Sequence, residues 1–271
     1  MENSDSGGPP RASWIDIITG KASTSAKAVS YKVSSVPCSN ANKFGLKQFR
    51  FGTRTIQATG STADHCHPNV LLLRIEPSFV QRAVQLLFRV LSLTTGPWVE
   101  SKFPEWFLPD RIVLKSQKPD WEEEFDNELL AYNKLQPVQS ITVPKFYGMV
   151  QHENTRALIL SDIGGHCVAN PEGAVLDEQD MRTLFYHAFK SINKFGVSYE
   201  DPKLDNFHLV NDEGKDKIMI VDLESADYEQ TEEELAYTAK TTTNFMMRQY
   251  RNHLQCMEYD GVLLPKRPLR A

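Results

Sequence analysis

Asp201, Lys203 and Asn206 fall within one short segment, Tyr199-Glu200-Asp201-Pro202-Lys203-Leu204-Asp205-Asn206. Asp222 comes sixteen residues after Asn206, directly behind the apolar run Ile218-Met219-Ile220-Val221. Upstream, Lys115 ends the run Ile112-Val113-Leu114, and Glu128 follows thirteen residues later. Carboxylate and carboxamide oxygens are what a hard divalent cation such as Mg²⁺ takes as ligands. An aspartate can accept the proton of a hydroxyl, and a lysine offers a positive point charge on a flexible stem. Each residue also has an ordinary reading. Lys115 could be a solvated strand end, Glu128 an outward-facing helix residue, Asp205-Asn206 a turn pair and Asp222 a cap. Asp, Lys and Asn at this spacing arise by chance in only about 0.03 of chains of this length, from residue frequencies. The added Asp222, Lys115 and Glu128 in fixed order make coincidence a poor explanation.

The elements that would position these groups can be read from periodicity. Residues 110–115 form a strand ending in Lys115. Asp120 then caps the backbone N–H of Glu123 as part of a capping box. It opens a helix whose buried stripe is Phe125, Leu129, Tyr132 and Leu135. Residues 141–150 and 156–161 read as strands around a turn at Glu153-Asn154, and Asp162-Ile163-Gly164-Gly165 breaks the pattern. Asp177 caps a second helix with Met181, Leu184, Phe185, Ala188, Ile192 and Phe195 on one face, ended by Gly196. Phe207–Val210 and Ile218–Val221 flank a turn, Thr231 with Glu234 makes a capping box, and helices fill the rest. Nearer the start, residues 43–59 read as one or two strands and 60–68 as loop. Pro77 opens a helix with Val80, Ala83, Val84, Leu87 and Leu91 inward and Arg82, Gln85 and Arg89 outward. A core-packed helix is favoured there over a membrane-surface one.

The chain has 271 residues, 41% of them hydrophobic and 24% charged, so it can build a sizeable core. A net charge of −5 argues against a general nucleic-acid binder. Cys38, Cys66, Cys167 and Cys256 form no CxxC pair and read as reduced thiols. No run of 18 apolar residues occurs, and MENSDSGGPPRAS has no signal-like apolar stretch. A cytoplasmic or nuclear protein with neither nucleic-acid nor membrane partners is therefore expected. Three smaller features have bland readings. His65-Cys66-His67 is awkwardly spaced for zinc, His166-Cys167 is adjacent in sequence only, and the basic segment Pro265–Arg270 reads as a solvated terminus rather than an import or anion-binding patch.

Over residues 110 to 225 the chain resembles the protein-kinase-like superfamily, particularly divergent fungal members near the aminoglycoside phosphotransferase branch. The resemblance implies an α+β, two-lobe protein-kinase-like fold. After a loose segment 1–40, it would have a small antiparallel-sheet N-lobe over 41–163 and a shortened, mainly helical C-lobe over 164–271. It further implies that Lys115 holds the α- and β-phosphates of ATP and that Glu128 pairs with Lys115, with Glu124 as second choice. Ser161, Asp162 and Ile163 would form the adenine hinge. Asp201 would be the catalytic base, Lys203 the lysine at the transferred phosphate, and Asn206 and Asp222 the Mg²⁺ ligands. The implied activity is transfer of the γ-phosphate to a hydroxyl of a protein or small molecule. In such a reaction charge collects on the equatorial oxygens, and the protein mainly positions groups and neutralises that charge.

Several departures accompany the resemblance. Tyr199-Glu200 stands where the family has His-Arg or His-Gly, and a carboxylate beside Asp201 would raise its pKa or repel phosphate. Pro202 follows Asp201 and removes an N–H donor. Leu223-Glu224 replaces Phe-Gly. No G-x-G-x-x-G exists, and Gly96 is the glycine found about twenty residues before Lys115. Only 49 residues follow Asp222, without an A-P-E signature. These departures support the alternative of a catalytically impaired pseudokinase acting as a binding or scaffolding module.

Overall fold

A computed structural model of the chain describes residues 44–63, 67–87 and 102–270. The expectations made for residues 1–40, His65, Cys66, Arg89, Leu91 and Gly96 lie outside these. The architecture is mixed α+β. A six-stranded antiparallel sheet runs in the order β1-β2-β3-β4-β6-β5, from Phe44–Phe51 (β1), Arg54–Thr62 (β2), Val70–Ile75 (β3), Arg111–Ser116 (β4), Phe146–His152 (β5) and Thr155–Ser161 (β6). Positive φ at Glu153 and Asn154 makes the tight β5–β6 turn.

The period of two in β4 decides where Lys115 points. Ile112 and Leu114 are buried in one core with Phe49, Ile56, Leu73, Ala157 and Ile159. Val113 packs on the other face, against a second core that contains Leu158 and Leu160 of β6. Lys115 shares the parity of Val113, so it enters the second core's side, opposite Val70 on β3 and Leu158 on β6. A slip of one residue would exchange Leu114 and Lys115 between the faces. Residues 42–271 form one compact unit, and the larger core crosses from β6 into the helical part.

Helix α1 (Glu122–Lys134) covers the Lys115 face, with Phe125, Glu128, Ala131 and Tyr132 buried. Its N-cap is Trp121 without a side-chain cap bond, and Asp120 has φ +60°. The Asp120 capping box is thus corrected: a left-handed residue lacks the extended backbone an N-cap needs. Three glutamates in the first turn, Glu122, Glu123 and Glu124, suit the positive helix end instead.

Two further corrections concern residues 70–87. The run Val70–Ile75 is a strand that periodicity missed, alternating buried Leu71, Leu73 and Ile75 with exposed Leu72 and Arg74. Residues 79–87 are helical, but rotated from the predicted orientation. Phe79, Val80, Leu86 and Leu87 are exposed, and Gln81 is buried. The buried Arg54 guanidinium donates to Gln81 Oε1 at 2.7 Å, and that polar pair sets which side of the helix turns inward.

Helix α2 (Glu178–Asn193) is capped by Asp177, whose Oδ1 accepts the Asp180 N–H at 2.9 Å. The hairpin β9 (Phe207–Asp212) and β10 (Lys215–Ile220) pairs antiparallel, with β7 (His166–Cys167) on the other side of β9. A short ribbon joins β8 (Ser198–Tyr199) to β11 (Ala226–Asp227). The Thr231–Glu234 capping box starts one long helix, α3 (Glu232–Tyr259), which packs along α2. The basic tail is largely exposed, as expected, but it is also pinned to the body of the protein. Lys266 donates to the Ala174 carbonyl at 2.7 Å, and the Arg267 guanidinium forks onto Asp216 at 2.6 and 3.0 Å. Asp216 has a fully buried side chain, and this pairing answers its need for a counter-charge.

Candidate functional site

Glu128 lies three residues after Phe125 and three and four before Ala131 and Tyr132, in the middle of the apolar stripe of α1. A carboxylate there would be costly without a partner. Lys115 provides one from β4. Its ammonium is 2.7 Å from Glu128 Oε2, 2.7 Å from Asp222 Oδ1 and 3.1 Å from Glu224 Oε1. Glu128 Oε1 also accepts the backbone N–H of Leu223 at 3.3 Å, fixing the helix to the residue after Asp222. Lys118 Nζ holds the second oxygen of Glu224 at 2.7 Å. Two ammonium groups thus face three carboxylates, whose nearest oxygens lie within 4.8 Å of one another.

The electrostatics follow from burial and pairing. Burial opposes the charged form of Lys115, but the three carboxylates outweigh it and raise the pKa. Burial lifts the Glu128 carboxyl above its ordinary value, and the Lys115 ammonium only partly counters this. Burial also works against ionised Asp222. There the fields of Lys115, Lys118 and His67 prevail and hold the carboxyl below the usual range.

Asp222 stands just past β10 with φ +60°, a left-handed backbone costing on the order of 1–3 kcal/mol for a residue with a side chain. Two links tie it to Asn206. Val221 N–H donates to the Asn206 carbonyl at 2.9 Å, and the Tyr199 hydroxyl donates to the Asp222 carbonyl at 3.1 Å. The Asn206 Nδ2 group donates to Tyr199 Oη at 2.7 Å and to the Asp201 carbonyl at 3.2 Å. Its Oδ1 accepts no hydrogen bond among the described residues. Burial pushes the Tyr199 hydroxyl well above its ordinary pKa, so it stays neutral and able to donate.

Asp201 and Lys203 are more open to solvent and pair at 2.8 Å. The hydrogen bond to Asp201 raises the Lys203 pKa, and the charges of Asp205 and Asp222 add to it. The adjoining Glu200 is turned elsewhere: Oε1 accepts from Ser198 Oγ at 2.9 Å and from Gln230 Nε2 at 3.2 Å. Its carboxylate is therefore engaged by neutral donors. Pro202 is buried and its carbonyl accepts from Gln249 Nε2 at 2.7 Å, which fastens the loop to α3.

Ser161, Asp162 and Ile163 sit at the other end of the β4–β6 pairing. Ser161 is opposite Ile112, three residues and about 10 Å along the strand from Lys115. Ser161 Oγ accepts the Lys145 N–H at 2.9 Å, and the Asp162 carboxylate pairs with Arg111 at 2.7 Å. Beside Lys115 itself lies the β2–β3 connection. There the Asn69 carbonyl accepts Ser116 N–H at 2.8 Å, and Asn69 Nδ2 donates to the Ser116 carbonyl at 3.0 Å. Residues 63–69 of that connection contain no glycine.

The fold therefore joins Lys115, Glu128 and Asp222 by direct ion pairs, and Asn206 and Asp201 to them through Tyr199 and the backbone. Lys203 joins through Asp201. Three participants escaped sequence reasoning: Glu224, Lys118 and the anchoring hydroxyl of Tyr199. Glu224 stood two residues beyond Asp222, and its signal was a carboxylate where the resemblance has glycine. The carboxylates of Glu128, Asp222 and Glu224 offer oxygens of the kind a hard cation takes, and the Asn206 Nδ2 group, bonded to Tyr199 and Asp201, fixes the orientation of its amide. The groove of about 400 Å³ between α2 and α3, lined by Arg182, Tyr186, Lys240 and Asn244, shares none of these residues. No family model matches the chain, and the search of curated proteins returned no match.

Proposed function

We propose that the chain is a phosphotransferase of protein-kinase-like design, binding ATP with Mg²⁺ and transferring the γ-phosphate to a hydroxyl of a protein or small molecule. The observation that carries this reading is the buried Lys115 ammonium, held at 2.7 Å by both Glu128 and Asp222, residues 13 and 107 positions away. On this reading Lys115 neutralises the phosphates and Glu128 keeps its stem in place. Asp222 and Asn206 hold the cation, which would draw charge off the transferring group. Asp201, the more open carboxylate, takes the acceptor's proton, and Lys203 stands beside it to meet the phosphoryl oxygens.

One observation favours a second reading, a binding or scaffolding module without turnover. All three carboxylates crowd the same lysine, and the connection beside it has no glycine to let backbone N–H groups approach phosphate. Thermal-shift titration with Mg-ATP separates the two, since a ligand of the native state stabilises it by RT ln(1 + [L]/Kd). On the first reading a saturable rise in Tm is expected, abolished in Asp222→Ala. No rise at millimolar Mg-ATP would overturn the first reading and favour the second. A rise without phosphate release across hydroxyl acceptors would leave a nucleotide-binding module without turnover.

A further inference from the structure

Glu224 bridges the two lysines of the site and is held firmly from behind. Its carbonyl accepts Asn127 Nδ2 at 2.9 Å, and the same amide donates to the Ala226 carbonyl at 2.7 Å. Tyr228 Oη donates to the Asn127 carbonyl at 2.7 Å, so residues 224–228 are riveted to α1. The Glu224 side chain is 11% exposed, and its carboxylate bridges Lys115 and Lys118. With Glu128 and Asp222 it leaves the cluster one negative charge in excess. Without Glu224 the two lysines would balance the two remaining carboxylates.

We infer that Glu224 is a specificity-determining residue that makes the site reject free nucleotide polyphosphate and accept the cation-bound form. The inference rests on the nucleotide reading above. A bare triphosphate approaching Lys115 meets a fixed carboxylate that already engages that ammonium, and the repulsion acts at short range in a largely desolvated setting. A divalent cation carried by the phosphates reverses the sign of the encounter, because the surplus carboxylate charge then attracts. Glycine at this position would leave the site neutral and indifferent to that distinction. The backbone rivets matter because a mobile glutamate would swing into solvent and relieve the repulsion.

The test compares dissociation constants for ATP in EDTA and for Mg-ATP, by calorimetry on the full chain, for wild type, Glu224→Gln and Glu224→Asp. Glu224→Gln keeps the shape and should bind free ATP about tenfold or more tightly than wild type, with a smaller change for Mg-ATP. Glu224→Asp keeps the charge and should retain the wild-type preference, which separates charge from shape. Unaltered free-ATP affinity in Glu224→Gln, with wild type still binding Mg-ATP, overturns this inference and leaves the nucleotide reading intact. Failure of all three proteins to bind either form, with melting curves showing them folded, overturns the nucleotide reading and this inference with it.

Discussion

Lys115→Met removes the single ammonium that Glu128, Asp222 and Glu224 share, and the consequence can be worked through without any ligand. Lys118 still answers Glu224, but Glu128 and Asp222 lose their nearest positive charge, and Glu128 sits fully buried in the stripe of α1. Removing one partner of a buried pair typically costs about 3–5 kcal/mol. For a unit of this size each kcal/mol shifts Tm by roughly 2–4 °C, which gives a fall of about 6–20 °C at neutral pH. The pH dependence carries the diagnosis. In wild type the Asp222 pKa is depressed, so its stabilisation is present above the unfolded carboxyl pKa and is lost as pH falls. Glu128, whose folded pKa already lies above the unfolded one in wild type, is raised further in the variant, and Asp222 loses the main field that depresses it, so both shift upward. The defect should therefore be largest at neutral pH and shrink on acidification as the carboxylates protonate. Adding Glu128→Leu to Lys115→Met should recover at least half of the loss, since an apolar side chain suits that stripe. Denaturant melts at several pH values read all three quantities. A pH-independent loss below 1 kcal/mol, or no recovery in the double variant, would refute the claim that Lys115 compensates a buried carboxylate cluster.

Two further perturbations isolate other links in the site and fold. Tyr199→Phe removes the hydroxyl that accepts from Asn206 Nδ2 and donates to the Asp222 carbonyl. It should cost about 1–3 kcal/mol in denaturant melts and reduce the Mg-ATP thermal shift more than it reduces Tm without ligand. An unchanged shift would show that the hydroxyl does not place Asn206. Arg267→Ala strips the counter-ion from the buried Asp216 carboxylate and should lower stability by roughly 3 kcal/mol, leaving nucleotide affinity unaltered. Retained stability would mean that the tail does not clamp the β9–β10 hairpin.

What sequence could reveal followed from how local each signal was. Caps and turns need only a few neighbours, so Asp177, Thr231 with Glu234, and the Glu153-Asn154 turn were legible. The side of the strand on which Lys115 lies was not legible, because Ile112, Val113 and Leu114 are all apolar and show no alternation; only the burial of the folded strand separates them. The helical residues near 80 were misread because their orientation depends on Arg54, more than twenty residues away on another strand. The anchoring of the basic tail was not legible for the same reason, since its partner Asp216 lies 51 residues upstream of Arg267. At the site, the spacing of Asp201, Lys203, Asn206 and Asp222 pointed to a shared chemistry, but Glu224 and Lys118 carried no motif. Their importance lies in a contact 106 residues apart in sequence, which only folding creates.

The cluster is hard to explain as scaffolding. Replacing a buried ion pair with apolar side chains of similar volume is often neutral or stabilising, so folding alone gives no reason to place Glu128 in an apolar stripe. The same few residues carry two other burdens: a left-handed Asp222 and a surplus carboxylate. Each could be relieved by a single substitution, Asp222→Gly or Glu224→Gln, yet both stand at one ammonium. Local strain and electrostatic imbalance gathered at one point mark a functional site rather than a scaffold, and the Mg-ATP titration of Lys115→Met and Asp222→Ala decides whether a nucleotide is what that site serves.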